Sequence, residues 1–237
     1  MEFVRYSLDS GIATIQIDDG KRNAFAPSVL HDIYAAFDKA EADKAIVILT
    51  GRDDVFSAGF DLKVMNRGGS KAIGMLRLGY ALPARVLTYP YPVIAACNGH
   101  VLAMGVFLML SADYIIGTRG DFKVAANEVA IGMTMPRVAA ALLRNRLRPA
   151  DFQRAVTLAE YFDTRSARDA GFFDELAESG DLMDRARALA IEFQQLDMLA
   201  HKESKRQVRK SLVRKLRRNL PLDLVSAARQ GMRRSSK

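Results

Sequence analysis

Two near-continuous apolar runs, KAIVILTG (residues 44–51) and PYPVIAACNG (residues 90–99), constrain the fold more than any other feature of the chain. Strands that are buried on both faces have this unbroken apolar pattern, which is typical of parallel sheets covered by helices. Each run is followed by a small-residue turn and then by a helical pattern. The sequence therefore predicts an α/β fold in which helices connect the strands of a parallel sheet.

The periodicity of the remaining segments supports the same architecture. Apolar and polar residues alternate on either side of residues 9–11 (Asp-Ser-Gly), which predicts a β-hairpin with a tight turn. A helix is predicted from Pro27 to about residue 42, because proline favours the first turn of a helix. A second helix is predicted over residues 75–88, and YIIGT and FKVAANEV are predicted to be short strands.

A shift in composition divides the chain into two predicted parts. Residues 1–136 are predicted to form the sheet core, and residues 137–237 a helical C-terminal part. Residues 201–237 carry 13 Lys and Arg against two acids, a local balance of +11, whereas the net charge of the whole chain is +8. The excess positive charge therefore lies in the tail. It is compatible with a nucleic-acid-binding arm, a membrane-surface helix, a rim for a polyphosphate ligand or a solvated helix face.

The tail also has an apolar face, formed by Val208, Leu212, Leu216 and Leu220. This spacing predicts a helix that docks on protein. A monomer would leave Leu212 and Leu216 partly exposed, so we expect a neighbouring subunit to cover them, most simply in a trimer. No aromatic residue follows Phe193, which argues against stacking on nucleic-acid bases. We expect the basic residues to serve phosphate groups of a ligand or the subunit surface.

Several classes of protein are disfavoured by composition. One cysteine and three widely separated histidines offer neither a disulfide framework nor the ligand spacing of a metal site. Charged residues at positions 2, 5 and 9 are unlike a secretory signal. The apolar run over residues 101–110 is shorter than the roughly 20 residues that span a bilayer. We therefore expect a cytoplasmic protein with no membrane span.

Two strand-to-helix turns could form a binding or catalytic site. One lies in VFSAGFDLK (residues 55–63) and the other in NGHVLAMG (residues 98–105). Each would place backbone N–H groups at the start of a helix, where the positive end of the helix dipole favours an anion. Two such groups aimed at one point form an oxyanion hole. Neither turn has the glycine and lysine pattern of a nucleotide-binding loop.

The segments FSAGFDLK, PVIAACNGHVLAMG and NEVAIGMTMP, in this order, resemble motifs of the enoyl-CoA hydratase/isomerase (crotonase) superfamily. The resemblance extends from the opening hairpin through RNAF (residues 22–25) to ARDAGFFDEL (residues 167–176). It implies a crotonase-like spiral of repeated ββα units, a trimer or hexamer, and a role in fatty acid metabolism. The implied substrate is an acyl-CoA thioester, with coenzyme A present only as part of that substrate and no other cofactor or metal.

The resemblance also implies roles for individual residues. The backbone N–H groups of Phe60 and Met104 would form the oxyanion hole, and Glu128 would be the catalytic acid and base. Asp61 is predicted to cap the following helix. The residues implied to surround the substrate and its coenzyme A portion are Lys21, Arg22, Asn23, Ala58, Gly59, Asp61, Leu62, Gly105 and Phe107.

One departure from the family pattern decides the predicted activity. Hydratases of the family use two glutamates, but the first position is Phe107 here, and no acid occurs between Asp61 and Asp113. A single carboxylate suffices to move a proton between two carbons, so the sequence favours double-bond isomerisation. The alternatives are hydration that uses Glu128 alone, and an acyl-CoA-binding protein without turnover. Nucleic-acid binding by the tail is a minor alternative.

Overall fold

The computed structural model describes the backbone of residues 1–235 and the side chains of residues 1–230, so the side chains of the last basic residues of the tail lie outside it. Its largest sheet has six strands in the order β1-β2-β4-β7-β9-β11. The first pair is antiparallel and all the later pairs are parallel. These strands are β1 (Val4–Asp9), β2 (Ile12–Ile17), β4 (Ile46–Thr50), β7 (Val93–Cys97), β9 (Tyr114–Thr118) and β11 (Glu175–Ala177).

Short strands form a second layer beside this sheet. They make one three-stranded sheet in the order β10-β8-β5 and one two-stranded sheet, β3-β6, all parallel. The bounds are β3 (Ala24–Phe25), β5 (Val55–Ser57), β6 (Gly59–Phe60), β8 (His100–Leu102) and β10 (Val124–Ala125). A strand of the large sheet is thus followed by a short strand and then by a helix, and this ββα order repeats along the chain.

Helices cover the two layers and form most of the C-terminal part. Their bounds are α1 (Pro27–Ala42), α2 (Leu62–Arg67), α3 (Gly69–Leu87), α4 (Met104–Met109), α5 (Arg137–Arg146), α6 (Pro149–Thr157), α7 (Thr164–Ala170), α8 (Leu182–Phe193) and α9 (Met198–Ser235). The predicted hairpin, the helix over residues 27–42 and the two fully buried strands, β4 and β7, are confirmed. The helix predicted over residues 75–88 begins earlier, at Gly69.

The prediction of a strand through FKVAANEV is wrong except at Val124 and Ala125. Only Val124 and Ala125 pair with β8, and the chain then turns into a short 3-10 helix, Val129–Ile131. The backbone of Val124 also exchanges hydrogen bonds with Phe162, which fixes the end of the strand. Glu128 therefore lies in a turn whose direction is set by β10.

The C-terminal part is mainly helical, as predicted, but it also completes the large sheet. Strand β11 pairs in parallel with β9 at the sheet edge. Helix α8 packs against the large sheet, where its Leu182 and Leu189 join a buried cluster with Ile46 and Ile94. The division of the chain into two domains at residue 136 therefore stays a prediction.

Helix α9 folds back on its own chain, against α3 and α5. Leu212 is 9% exposed and Leu216 is 1% exposed, whereas Val208 is 79% exposed. The expectation that a neighbouring subunit covers Leu212 and Leu216 is therefore wrong, since both side chains are already buried in the core of this chain. The apolar face of the tail gives no argument for a trimer.

Within the described residues, none of the helices combines the length and the apolar character that crossing a bilayer requires. The same residues include no group of three or more His, Cys, Asp or Glu side chains placed to hold a metal ion.

Candidate active site

The first of the two predicted turns is built on the short β3-β6 ladder, in which Phe25 is the register partner of Phe60. The N–H of Asp61 donates to the carbonyl of Phe25 at 3.4 Å. Successive N–H groups along a strand point to opposite sides, so the Phe60 N–H faces away from β3. Gly59, just before it, has a φ of +89°, which favours glycine.

The second turn begins α4 at Met104, whose N–H lies in the first turn and has no acceptor within the helix. Ala103 has a φ of +47°, a strained conformation for a residue with a side chain. Its N–H donates to the carbonyl of Ala125 at 2.8 Å, which holds the turn in place. A Cβ on Gly59 would lie 2.7 Å from the Ala103 Cβ and 3.3 Å from the Met104 nitrogen. The structure thus brings the two turns into direct contact.

The Phe60 side chain packs on the middle of α3. A Cβ on Gly79 would lie 2.3 Å from the Phe60 ring, so a side chain at that point would displace the ring. The next residue, Tyr80, makes an edge-to-face contact with Phe60 at 5.6 Å between ring centroids. Neither Gly79 nor Tyr80 was picked out from the sequence. A tyrosine on the buried face of a helix carries no signal that distinguishes it from an ordinary core residue.

Glu128 places a carboxyl group in this same interior. The residue is 4% exposed, and its carbonyl accepts the Met133 N–H at 2.8 Å, which closes the turn. Oε2 is buried and has no hydrogen-bond partner among the described residues. Burial disfavours the charged form and raises the pKa of Glu128 to about 7. A carboxyl group with this pKa can both accept and return a proton near neutral pH.

Tyr80 is electrostatically coupled to Glu128. Burial is the main cause that raises the pKa of the Tyr80 hydroxyl, followed by the negative charges of Glu128 and Asp223. The hydroxyl is therefore protonated at neutral pH. Tyr80 belongs to the same interior as Glu128, and its ring also supports Phe60.

Three carboxyl side chains are buried in the part of the chain that the structure describes: Glu128, Asp151 and Asp223. Asp223 accepts the backbone N–H groups of Arg137 and Val138 at 3.0 and 2.9 Å and so caps α5. Asp151 is paired with two arginines of its own helix region. Among these three, only Glu128 lacks a cationic partner, which leaves it as the reactive candidate.

Helix α4 confirms the apolar character of the position where a hydratase would have its first glutamate. Phe107 is 1% exposed, and all six residues of α4 are buried. Gly105 lies so close to β5 that a Cβ would be 2.8 Å from the Ser57 Cβ. The helix is thus pressed against the second layer, with no acid along its length.

In the loop before β3, two cationic side chains are exposed and one asparagine is buried. Arg22 is exposed and lies 3.7 Å from Asp54, while the Lys21 side chain is also exposed. Asn23 is fully buried, and its side-chain amide donates to the carbonyls of Ile17, Val55 and Phe56. The Asn23 side chain therefore supports the loop, and the residue offers no exposed surface to a ligand.

The residues around Phe60 hold the first turn against that loop. The Ala58 N–H donates to the Arg22 carbonyl at 3.0 Å. Asp61 accepts the N–H groups of Lys63 and Val64 at 2.7 and 3.2 Å, which confirms it as the cap of α2. Leu62, the first residue of α2, is 54% exposed. Thus Asp61 is occupied as a cap, whereas Leu62 is accessible beside the turn.

Comparison with known proteins identifies the family of the chain. The family model described as enoyl-CoA hydratase/isomerase matches residues 7–234. An enoyl-CoA hydratase/isomerase family protein from Pseudomonas syringae has a similar structure, with a TM-score of 0.92, 44% identity, and 94% and 96% of the two chains covered. An enoyl-CoA hydratase from Mycobacterium marinum has a TM-score of 0.88 and 40% identity over 92% of this chain and 96% of its own.

An isomerase is also among the relatives. The peroxisomal enoyl-CoA delta isomerase 2 of Arabidopsis thaliana is 32% identical over 60% of this chain and 62% of its own length. The spiral of ββα units predicted from the sequence is thus confirmed as the crotonase fold. On the family match and on these likenesses, the chain belongs to the enoyl-CoA hydratase/isomerase family.

Proposed function

We propose that the protein moves the double bond of a 3-enoyl-CoA thioester to the 2-position, with Glu128 as the only acid and base. Glu128 takes a proton from C2 of the substrate and returns it to C4. Both transfers require a carboxyl group whose pKa is close to the working pH, and Glu128 has a pKa raised to about 7. The observation that carries the proposal is this buried carboxyl group, which has neither an ion pair nor a hydrogen bond at Oε2 among the described residues.

The two turns would stabilise the negative charge that develops on the substrate during the reaction. Loss of the C2 proton places negative charge on the thioester oxygen, and the dienolate must be stabilised until the proton returns. The N–H groups of Phe60 and Met104 would donate to that oxygen from turns that already touch. Backbone donors fixed before the reaction need no reorganisation, and they commonly contribute more than other groups of a site.

A cavity beside Tyr80 offers room for the acyl chain. Its volume is about 360 Å³, and it is lined by the segment from Met133 to Arg137 and by α9 residues that include Ala227. The exposed cations Lys21 and Arg22 lie on the loop next to Ala58, where the coenzyme A phosphates would find complementary charge. We assign the thioester to the space between these two regions.

Hydration of a 2-enoyl-CoA is the second candidate, favoured by the hydratase name of the relative from Mycobacterium marinum. Hydration needs one group to deprotonate water and another to protonate the α carbon. Helix α4 offers only buried apolar side chains for the second task. The assay that separates the two activities is incubation of the pure protein with 2-enoyl-CoA and 3-enoyl-CoA in separate reactions, with both products quantified.

The variant Phe107→Glu tests why the site favours isomerisation. It places a second carboxyl group one helical turn into α4, so we expect hydration of 2-enoyl-CoA to rise relative to isomerisation of 3-enoyl-CoA. The matched control is Phe107→Gln, because glutamine has nearly the shape of glutamate but cannot exchange a proton. Equal product ratios for the two variants would show that the missing acid does not set the reaction. A thermal unfolding curve for each variant checks that the fold tolerates the buried polar group.

The contact between the two turns predicts a strong effect of Gly59→Ala. The added Cβ would lie 2.7 Å from the Ala103 Cβ, and the residue would keep a φ near +89°. The control is Gly68→Ala, which has a φ of +64° but no atom within 4 Å of the added Cβ. Gly68 has a ψ of −154°, a conformation that side chains rarely adopt, so we expect Gly68→Ala to cost about 1–3 kcal/mol of backbone strain, with little change in kcat/KM. Gly59→Ala should cost more and lower kcat/KM at least about tenfold, and equal effects would contradict the role of the contact.

A further inference from the structure

A second cavity lies between the C-terminal end of α3 and the first half of α9, with a volume of about 390 Å³. Part of its wall is apolar, formed by Leu87, Tyr89, Pro90 and Val213. Tyr89 is fully buried and its hydroxyl donates to the Ala45 carbonyl, so this side of the cavity is rigid. The cavity can therefore accept the ring or chain of an organic molecule.

Five cations of α9 surround the opening of this cavity: Lys202, Arg206, Lys210, Arg214 and Arg217. They recur every three or four residues and so lie on one side of the helix. No acidic residue is among the lining residues. Among the described side chains, only Arg206 of these five has an ion pair, with Glu203 at 2.7 Å. The positive charge of these five side chains, here called the rim, is therefore largely unpaired among the described side chains.

Two further cations of the lining, Lys205 and Arg209, are held inside the protein by one carboxylate. Asp113 is 2.6 Å from the Lys205 Nζ and 3.0 Å from the Arg209 guanidinium. Burial lowers the pKa of Lys205 to about 8, so it is still largely charged at neutral pH. His201 adds no negative charge, and burial lowers its pKa. The cluster therefore retains one excess positive charge at the cavity.

Lysine has three donors, and Lys205 uses two of them, towards Asp113 and the Tyr91 carbonyl at 3.1 Å. One N–H of this buried ammonium group is thus available to a ligand in the cavity that Lys205 lines. The same arrangement explains why charge reversal of Lys205 or Arg209 is unsuitable as a test. It would break a buried ion pair as well as change the cavity.

We propose that this cavity binds a soluble organic polyphosphate, with its phosphates among the α9 cations and its organic part against residues 87–90. Phosphate oxygens would accept hydrogen bonds from the rim and from Lys205, and would balance the excess charge of the buried cluster. The apolar wall distinguishes such a ligand from an inorganic anion, which would leave that wall unused.

The cavity is separate from the site of the proposed isomerisation. Neither Glu128 nor any residue of the two turns lines this cavity. Leu87 follows Gly79, on which Phe60 packs, by eight residues of the same helix, a rise of about 12 Å. The proposal therefore goes beyond the proposed function and can fail without it.

Calorimetric titration of the whole protein with ADP, in buffer of about 0.15 M ionic strength, tests the proposal. Two charge-reversed double variants are compared, Lys210→Glu with Arg214→Glu, and Lys215→Glu with Arg218→Glu. All four residues are exposed and lie on α9, but only the first pair lines the cavity. The net charge changes equally in both variants. We expect the first to raise the Kd for ADP at least about tenfold and the second less than about threefold.

Several results would overturn the proposal. The first is no measurable ADP binding, and the second is an equal loss in both double variants, since it would indicate attraction by the overall charge. The third is exclusion of ADP by saturating coenzyme A, which would assign the cations to the substrate. Titration with pyrophosphate and with vesicles of anionic lipid completes the comparison. Pyrophosphate binding as tightly as ADP, or binding of vesicles without binding of ADP, would also contradict an organic polyphosphate site.

Discussion

Replacing Glu128 by Gln is expected to lower isomerisation of 3-enoyl-CoA by roughly 10²–10⁴-fold while thioester binding persists. Glutamine keeps the shape of the side chain but cannot accept the C2 proton. Binding should be retained because the proposed oxyanion donors are the backbone N–H groups of Phe60 and Met104. The measurements are kcat from product formation and the Kd of a non-reactive acyl-CoA. Glu178→Gln, at a residue whose side chain is 70% exposed, controls for the loss of a carboxylate. A Glu128→Gln variant with near-normal kcat would contradict the role of Glu128.

The raised pKa of Glu128 also predicts two dependences on pH. As a base Glu128 must be ionised, so kcat/KM should rise as the pH increases through about 7. The folded-state pKa lies above the ordinary glutamate value of 4.5, so the folded state favours the protonated carboxyl group. Its contribution to the free energy of unfolding is complete below pH 4.5 and is lost as the pH rises to about 7. Stability measured for wild type relative to Glu128→Gln should fall across that window, and a constant difference would exclude the raised pKa.

Replacing Asp113 by Asn is expected to destabilise the protein by roughly 3–5 kcal/mol, the largest effect on stability that we foresee. Asp113 accepts the Val93 N–H at 2.8 Å and pairs with Lys205 and Arg209. Its loss would leave two partly or fully buried cations without a counter-charge and would weaken the attachment of α9 to the sheet.

Denaturant unfolding of Asp113→Asn measures this effect, with Asp38→Asn as the control. Asp38 also pairs with an arginine, Arg85, but its side chain is 69% exposed, so its removal should cost no more than about 1 kcal/mol. A similar loss in both variants would show that burial of the Asp113 pair adds little.

The sheet could be predicted because the apolar patterns that indicate its strands are local in the sequence. Strands β4 and β7 are unbroken apolar runs, and the first hairpin has a polar turn between alternating residues. Strand β11 was missed because its three residues are half-buried at the sheet edge, and their pairing with β9 is set by tertiary structure. Strand β10 was predicted too long, because contacts with β8 and Phe162 end it.

The site was predictable where its residues lie in motifs and not where they come from distant helices. Gly59, Phe60, Met104 and Glu128 stand in motifs that the resemblance identifies. The contributions of Tyr80 from α3 and Asp223 from α9 depend on packing that no local pattern reports. The buried face of α9 was predicted correctly at Leu212 and Leu216 but not at Val208, which is exposed. What covers this face was predicted wrongly, since packing on the same chain and packing on a neighbouring subunit require the same apolar pattern.

The most direct test of the proposed mechanism is to follow the proton itself. A 3-enoyl-CoA carrying deuterium at C2 is converted in ordinary water in a single turnover, and the deuterium at C4 of the product is measured by mass spectrometry. If buried Glu128 alone carries the proton from C2 to C4, a substantial fraction of the deuterium should appear at C4, and Glu128→Gln should abolish the conversion. A wild-type protein that hydrates 2-enoyl-CoA but never moves the double bond, or that yields product without deuterium at C4, would contradict the single-carboxylate mechanism.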